Sequence, residues 1–589
     1  MKHILAVIAL TLCLITTLHA EDTPPASSPV TPADKTVPEE VYSTPFSKPS
    51  PGQQPAKNEY DRRRAKGLRN ADFYSYYLIN KAHNNPSQVM AYLKEALKYS
   101  PDLPAVYFYL AWVSFSKSPT AIYDTIHYLI EGFRAYKRNF WWSFNLAGVF
   151  TIGLLLAFVF TIVVVVLVRL SVDLPLMTHE IKEENRNIFI LVLVFFISAM
   201  GPLYFFASVL MLLSLYFKKT DLIVTYVFLG ALILLPLFLK PVQILLSAEM
   251  SSALKAVVAV NEGEDNNYAI NVLSHSKERD EVFSYALALK REGRLAEAVS
   301  SYKKLIENDP DDAIVYNNLG NCYAIMGQNN KAIAMFKKAA GLKPLVSAYY
   351  NLSQISREQL NFSEGDKYFD KAKAIDPDAI TGYREVSSRE PNSFYIDETL
   401  KQSDFWRLAG HTSGDYIIQV TLLPLWLTPV VGLMITITFI GLLRVKRNKA
   451  YSCKRCGTIM CPKCGRRLSW GDMCYDCFTS LITFEKDPRD RISRLFVVQE
   501  SKRKRKNILT ALSLFMPGAH LIYAGRIMKG AALTFLFLMP ASIFITSFLY
   551  RISIYPFIHS WLIFTVITVT IVFYIVNIFT TRRSIKKWL

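Results

Sequence analysis

Residues 144–168 form an apolar run of 25 residues without a single charge, about the length a helix needs to cross the roughly 30 Å hydrocarbon layer of a bilayer. Nothing else in the chain restricts the possible folds as strongly. Trp141 and Trp142 stand at its entrance and Arg169 at its exit, the residue types that anchor a span at the two interfaces. Further apolar runs lie at 188–217, 222–239, 417–443, 532–550 and 561–579. The chain has 589 residues, of which 51% are hydrophobic, and a mean hydropathy of +0.20. It is therefore too large for one domain and too apolar to be wholly soluble. The expected class is mostly α, a polytopic helical membrane protein with soluble parts.

The formal charge of +19 is unevenly spread, with about +12 of it between residues 444 and 506. Lys and Arg clustered beside apolar spans mark the side retained in the cytoplasm. The excess is accordingly read as topology and set against nucleic-acid binding, for which it would otherwise be the main argument.

Residues 1–20 carry Lys2 and His3, an apolar stretch and small residues up to Ala20, the pattern of a secretory signal peptide. Residues 21–58, rich in Pro, Ser and Thr, form a disordered linker that has too little apolar surface to offset chain entropy. Residues 60–140 are helical in pattern, with an amphipathic run at 89–98, a break at Pro101 and Pro104, and a restart at 106–112. The first bundle of spans covers 144–250. Within it 188–217 is long for one span and short for two, split by Gly201-Pro202. Parity with the spans downstream favours a hairpin there.

Between 251 and 400 the sequence repeats. Tyr316, Leu319, Gly320, Tyr323, Ala332, Phe336, Ala339 and Pro344 recur one period earlier as Val282, Tyr285, Ala286, Leu289, Ala298, Tyr302 and Pro310. One period later, with one residue deleted, they recur as Tyr349, Leu352, Ser353, Gly365, Phe369, Ala372 and Pro377. Three tandem units over 279–380 resemble the tetratricopeptide family, and the pair near 88–130 resembles a degenerate unit. The resemblance implies an α-solenoid whose inner face grips a protein or peptide partner. Carried over by position, that face offers Lys290 and Arg291, then Asn317 and Asn321, then Tyr350, Gln354 and Arg357. Asn317 and Asn321 resemble two members of the family's carboxylate clamp, while Phe283 and Leu287 stand at the corresponding first-repeat positions.

The span 417–443 ends in Arg444, Lys446, Arg447 and Lys449, so the residues after it are expected in the cytoplasm. There Cys453, Cys456, Cys461, Cys464, Cys474 and Cys477 make three CxxC pairs and hold six of the eight cysteines. In a reducing compartment such pairs read as metal ligands rather than disulfides, and their spacing fits a four-thiolate zinc ribbon over 445–484. Six thiolates exceed one tetrahedral site. Either Cys461, Cys464, Cys474 and Cys477 close it, or Cys453 and Cys456 supply half, as in bacterial fingers similar to the B-box family. A closed Zn2+ site of this kind is structural and offers a docking surface for a cytoplasmic partner. A basic linker at 485–507 leads to 508–580, which reads as an interfacial segment and two spans. Its opening, with Pro517-Gly518, Tyr523-Ala-Gly525-Arg526 and Lys529-Gly530, is similar to a recurrent short segment in bacterial membrane proteins.

His179-Glu180-x-x-Glu183 lacks the second histidine of a metalloprotease helix, and no phosphate loop or nucleophile elbow is present. The expectation is not an enzyme but a multi-pass scaffold of the bacterial inner membrane. Its repeats would be periplasmic, its zinc ribbon and C-terminus cytoplasmic, and lipids would surround its spans. Two alternatives are a transport or secretion component and a nucleic-acid or signalling module acting through the zinc ribbon.

Overall fold

A computed structural model describes residues 68–117, 121–183, 195, 197–198, 201–389, 395–412, 424–445, 450–461, 468–470, 473–483, 487–549 and 556–588. The signal pattern, the Pro-rich linker and Cys464 lie outside the described residues.

The first helices are α1 (Asp72–Asn84), α2 (Val89–Tyr99), α3 (Pro104–Lys117) and α4 (Ile122–Arg138). Each packs against the next around Leu78, Ile79, Leu93, Tyr99, Leu103 and Val106. One residue later α5 (Phe140–Glu183) begins. It overruns the apolar stretch at both ends, and its 44 residues extend about 66 Å at 1.5 Å per residue. The chain then folds back at Gly201, whose φ of 132° only glycine adopts readily. Ser198 and Ser208 lie 2.9 Å apart across it. The run from there is α6 (Pro202–Ser214), succeeded by α7 (Leu222–Ile233) and α8 (Leu235–Met250). The last two are bent by 57° and together make one broken apolar element; Pro236 sits in the first turn of α8, where a missing N–H costs nothing.

Next come α9 (Ser252–Asn261) and α10 (Asn267–Leu273), then three helix pairs: α11 (Arg279–Arg291) with α12 (Leu295–Asn308), α13 (Ala313–Ile325) with α14 (Asn329–Leu342), and α15 (Val346–Glu358) with α16 (Phe362–Ile375). A further helix, α17 (Pro377–Arg389), packs on the last pair. The recurring small residues let the two helices of each pair approach. A Cβ on Gly320 would come within 2.6 Å of the Phe336 ring, which is fully buried and stacks on Tyr395. Gly320→Ala gains about 1 kcal/mol of helix propensity, but the trapped ring has nowhere to move, and overpacking of this kind costs about 1–3 kcal/mol. The expected result is a lowered midpoint in the thermal melt monitored by circular dichroism.

An extended segment, residues 395–400, leads into α18 (Gln402–His411). Beyond it lie α19 (Thr428–Val445), the antiparallel pairs β1 (Tyr451–Ser452) with β2 (Ile459–Met460) and β3 (Leu468–Trp470) with β4 (Met473–Cys474), and α20 (Tyr475–Leu481). α21 (Pro488–Phe515) runs through the stretch expected to be a basic linker. Lys and Arg are good helix formers, and this helix has docking partners on one side. α22 (Ala519–Tyr523), α23 (Ile527–Leu549) and α24 (Pro556–Trp588) complete the chain.

Among the described residues, α5 and α23 are long and apolar enough to cross a membrane, and the bent pair α7 and α8 makes a third. Phe140, Trp141 and Phe144 at the start of α5 share one core with the helix pairs. At its other end, the Glu180 carboxylate accepts a hydrogen bond from the Ala450 amide, beside β1. The repeats and the cysteine-bearing strands are thus held at opposite ends of the same helix.

The repeat end is joined at Glu262. Its carboxylate accepts from the Phe140 amide at 2.6 Å and from Gln402 Nε2 at 2.8 Å. Its carbonyl accepts from Asn70 Nδ2 at 2.9 Å. Asn70 also donates to Asp102, which pairs with Arg69 and Arg138. One carboxylate, at the end of α9, therefore ties α5 and α18 together.

Candidate functional sites: a filled repeat groove and a four-cysteine cluster

The inner face of the helix pairs is formed by α11, α13 and α15, and residues 395–400 of the same chain lie along it. Asn351 Oδ1 accepts from the Ile396 amide at 2.8 Å, and Asn351 Nδ2 donates to the Ile396 carbonyl at 3.0 Å. Asn318 repeats the arrangement on Glu398, accepting from its amide and donating to its carbonyl, both at 2.8 Å. The Leu400 amide donates to Asn261 Oδ1 at 2.9 Å, and Asn261 Nδ2 in turn donates to Ser284 Oγ at 2.8 Å. Ser284, Asn318 and Asn351 occupy the same position in the three repeats, two residues after Val282, Tyr316 and Tyr349. Asn351 and Asn318 of two successive repeats, and Asn261 held by Ser284 of the first, thus engage every second residue of an extended segment, whose backbone groups face the same way with period two.

Asn317 and Asn321, expected to hold a partner, are fully buried and both donate to the Ile396 carbonyl, at 3.1 and 3.0 Å. Lys290 Nζ lies 2.6 Å from Asp397 Oδ1, with the Arg291 guanidinium beside the other carboxylate oxygen. Asn321 donates to the same Asp397 side chain at 2.9 Å. Burial alone would raise the Asp397 carboxyl; Lys290 and Arg291 outweigh it and hold it below the usual carboxylate range. Tyr350 is buried with Ile396, Ala372 and Ile380. Five of the seven residues expected on the face are therefore engaged with this chain's own segment. Gln354 is half-buried. Arg357 turns to the second helix of its repeat, where it pairs with Asp366 at 2.8 Å and lies over Phe369.

Sequence reasoning does not find Asn318, Asn351, Asn261 or Ser347, the last of which donates to the Glu398 carboxylate. The recurrence of asparagine at one repeat position, 318 and 351, is the available signal for the first two.

At the other end of α5, Cys453, Cys456, Cys474 and Cys477 bring their sulfurs within 4.8 Å of one another. Cys453 and Cys456 lie in the β1–β2 turn, closed by Gly457 at φ 78°. Cys474 caps α20, its sulfur accepting from the Cys477 amide at 3.4 Å. A tetrahedral ion with bonds of about 2.3 Å sets its ligands about 3.8 Å apart, and the Cys456 and Cys474 sulfurs are 3.7 Å apart. The four residues can hold a metal ion. Among the described residues the first and last CxxC pairs converge, and Cys461 is buried outside the group.

α21 braces this cluster. Arg494 approaches Cys474 Sγ at 3.2 Å and Cys456 Sγ at 3.5 Å. Arg505 donates to the carbonyls of Lys454 and Cys453 at 2.6 and 3.1 Å, and Val498 packs in the same small core. Four thiolates around a divalent ion carry a net negative charge, which the Arg494 guanidinium offsets in part, as outer-shell groups do at metal sites.

Comparison with known proteins bears on the repeats alone. Residues 301–334 match one family profile described as tetratricopeptide repeat, and residues 283–312 and 346–379 match another of the same description. These helix pairs are tetratricopeptide repeats. No curated protein matches the chain.

Proposed function

We propose that this chain is a scaffold of the bacterial inner membrane, binding an envelope protein through its repeats and an internal partner through a structural zinc module. Tetratricopeptide repeats suit a protein-protein interaction scaffold, and a closed four-thiolate site suits zinc in a holding rather than a chemical role. The reading is carried by the placement of the two modules at opposite ends of one long apolar helix, about 60 Å apart for the 40 residues between Phe140 and Glu180.

Two further features support it. In the sequence, Arg444, Lys446, Arg447 and Lys449 directly precede the cysteine run, which is the cytoplasmic sign. At the repeat end, α4 leaves Ile122, Ile126, Leu129, Ile130 and Phe133 exposed at the spacings of one helix face, one residue ahead of α5. A stripe of this kind beside a span fits an in-plane helix resting in the lipid interface.

Topology reporters fused after Leu400 and after Phe478 test the proposal. The expected result is activity in opposite compartments, the first outside and the second inside; signals from the same side would overturn it.

A further inference from the structure

We propose that the repeat groove accepts an extended acidic segment of a partner protein in exchange for residues 395–400, which occupy it as an internal stand-in. The inference rests on the scaffold reading and deepens it by naming the chemistry of the ligand.

Its support is the way the segment is held. Asn351 and Asn318 each make a two-point contact with a backbone amide and carbonyl, and Asn261 takes the Leu400 amide. Contacts of this kind read an extended main chain rather than a particular sequence, so a segment from another protein can be read in the same way. Specificity then lies in three side chains. Ile396 enters a small apolar core with Tyr350, Ala372 and Ile380. Asp397 meets Lys290, Arg291 and Asn321. Glu398 accepts from Ser347. The fitting ligand is therefore an aliphatic residue followed by two acids in extended conformation. Cations at Lys290 and Arg291 favour such a segment over a neutral or basic one.

Exchange is opposed by connectivity. A segment tethered to the groove competes at a high effective concentration, in the millimolar range for a short linker. A partner must therefore bring additional contacts or a high local concentration. Release would also free the link into α18, whose Phe405 stacks edge-on against Phe140 at the start of α5. Occupation of the groove is thereby connected to the helix that runs to the cysteine cluster.

The test uses the full chain in detergent and a fluorescein-labelled peptide of residues 393–401. Ile396→Pro with Glu398→Pro removes the two amides that Asn351 and Asn318 accept from, without touching the solenoid. That variant should bind the peptide at least about tenfold more tightly than the wild type. Adding Asn351→Ala should abolish the gain, as should a peptide with Lys in place of Asp397. A double-proline variant with an intact thermal melt and no peptide binding would overturn the proposal. In the wild-type chain, excess peptide should speed hydrogen exchange at the Ile396 and Glu398 amides; unchanged protection would likewise overturn it. Neither readout depends on which side of the membrane the repeats face, so failure here and failure of the topology test remain distinct.

Discussion

The purified chain is expected to carry one zinc ion, and Cys453→Ser, Cys456→Ser, Cys474→Ser or Cys477→Ser is each expected to remove it, whereas Cys461→Ser keeps it. The asymmetry comes from geometry. Four sulfurs lie within 4.8 Å of one another, and Cys461 is not among them. The effect should be large because the module has little else to fold around. Its strands are two or three residues long, α20 has seven residues, and the buried side chains around the cluster are few. Structural zinc contributes on the order of 10–16 kcal/mol in small modules, far more than that core can replace. Elemental analysis of each variant gives the stoichiometry, and protease cleavage between residues 450 and 483 reports whether the module has opened. Zinc loss in Cys461→Ser, or two ions per chain, would refute the pairing.

The second large effect is a loss of stability with rising pH, much reduced by Glu262→Gln. Burial pushes the Glu262 carboxyl up to about 8, and the nearby charges of Asp102 and Asp72 push it the same way. The hydrogen bonds from the Phe140 amide and Gln402 offset this only in part. Asp72 is raised to about 6 by burial and by Asp102, and Glu264 is raised as well. Each of these groups binds its proton more tightly folded than unfolded. The stabilisation is therefore complete below the ordinary carboxyl range, near pH 4.5, and is lost as pH climbs through about 8. Each tenfold difference in proton affinity between the folded and unfolded chain is worth about 1.4 kcal/mol, so the loss amounts to roughly a few kcal/mol. A Gln side chain keeps an oxygen for the Phe140 amide and for Gln402. It puts an uncharged NH2 where Glu262 Oε2 is buried without a partner. Thermal melts at pH 6 and pH 9 should differ clearly for the wild type and much less for Glu262→Gln. Equal slopes would show that the junction does not carry the dependence.

How legible the fold is depends on how local its determinants are. The repeats can be read because small residues at helix crossings and large ones between repeats recur with one period, as with Gly320 against Phe336. The long α5 can be read from its apolar run, although its ends cannot: beyond 168 the helix continues through residues of ordinary polarity to Glu183. The stretch 485–507 reads as a linker, wrongly, because its charge masks the one face, Arg494, Val498 and Arg505, that docks on the cysteine module.

The sites divide in the same way. Spacing points to four of the six cysteines as one cluster, but every CxxC pair looks alike, and it is the fold that brings the first and last pairs together, with Arg494 of α21 against Cys456 and Cys474. Position in the repeat identifies Asn317 and Asn321 as inner-face residues, since a helical face is set by short-range periodicity. That the face is already filled cannot be read, because Ile396 reaches Asn351, Asn321 and Asn317 over 45, 75 and 79 residues through backbone groups that every residue carries. The sequence alone therefore determined the repeat and the grouping of the cysteines, both encoded by neighbours along the chain. Only the tertiary structure decided which cysteines meet and what lies in the groove, because contacts through the main chain and between distant segments leave no periodic trace.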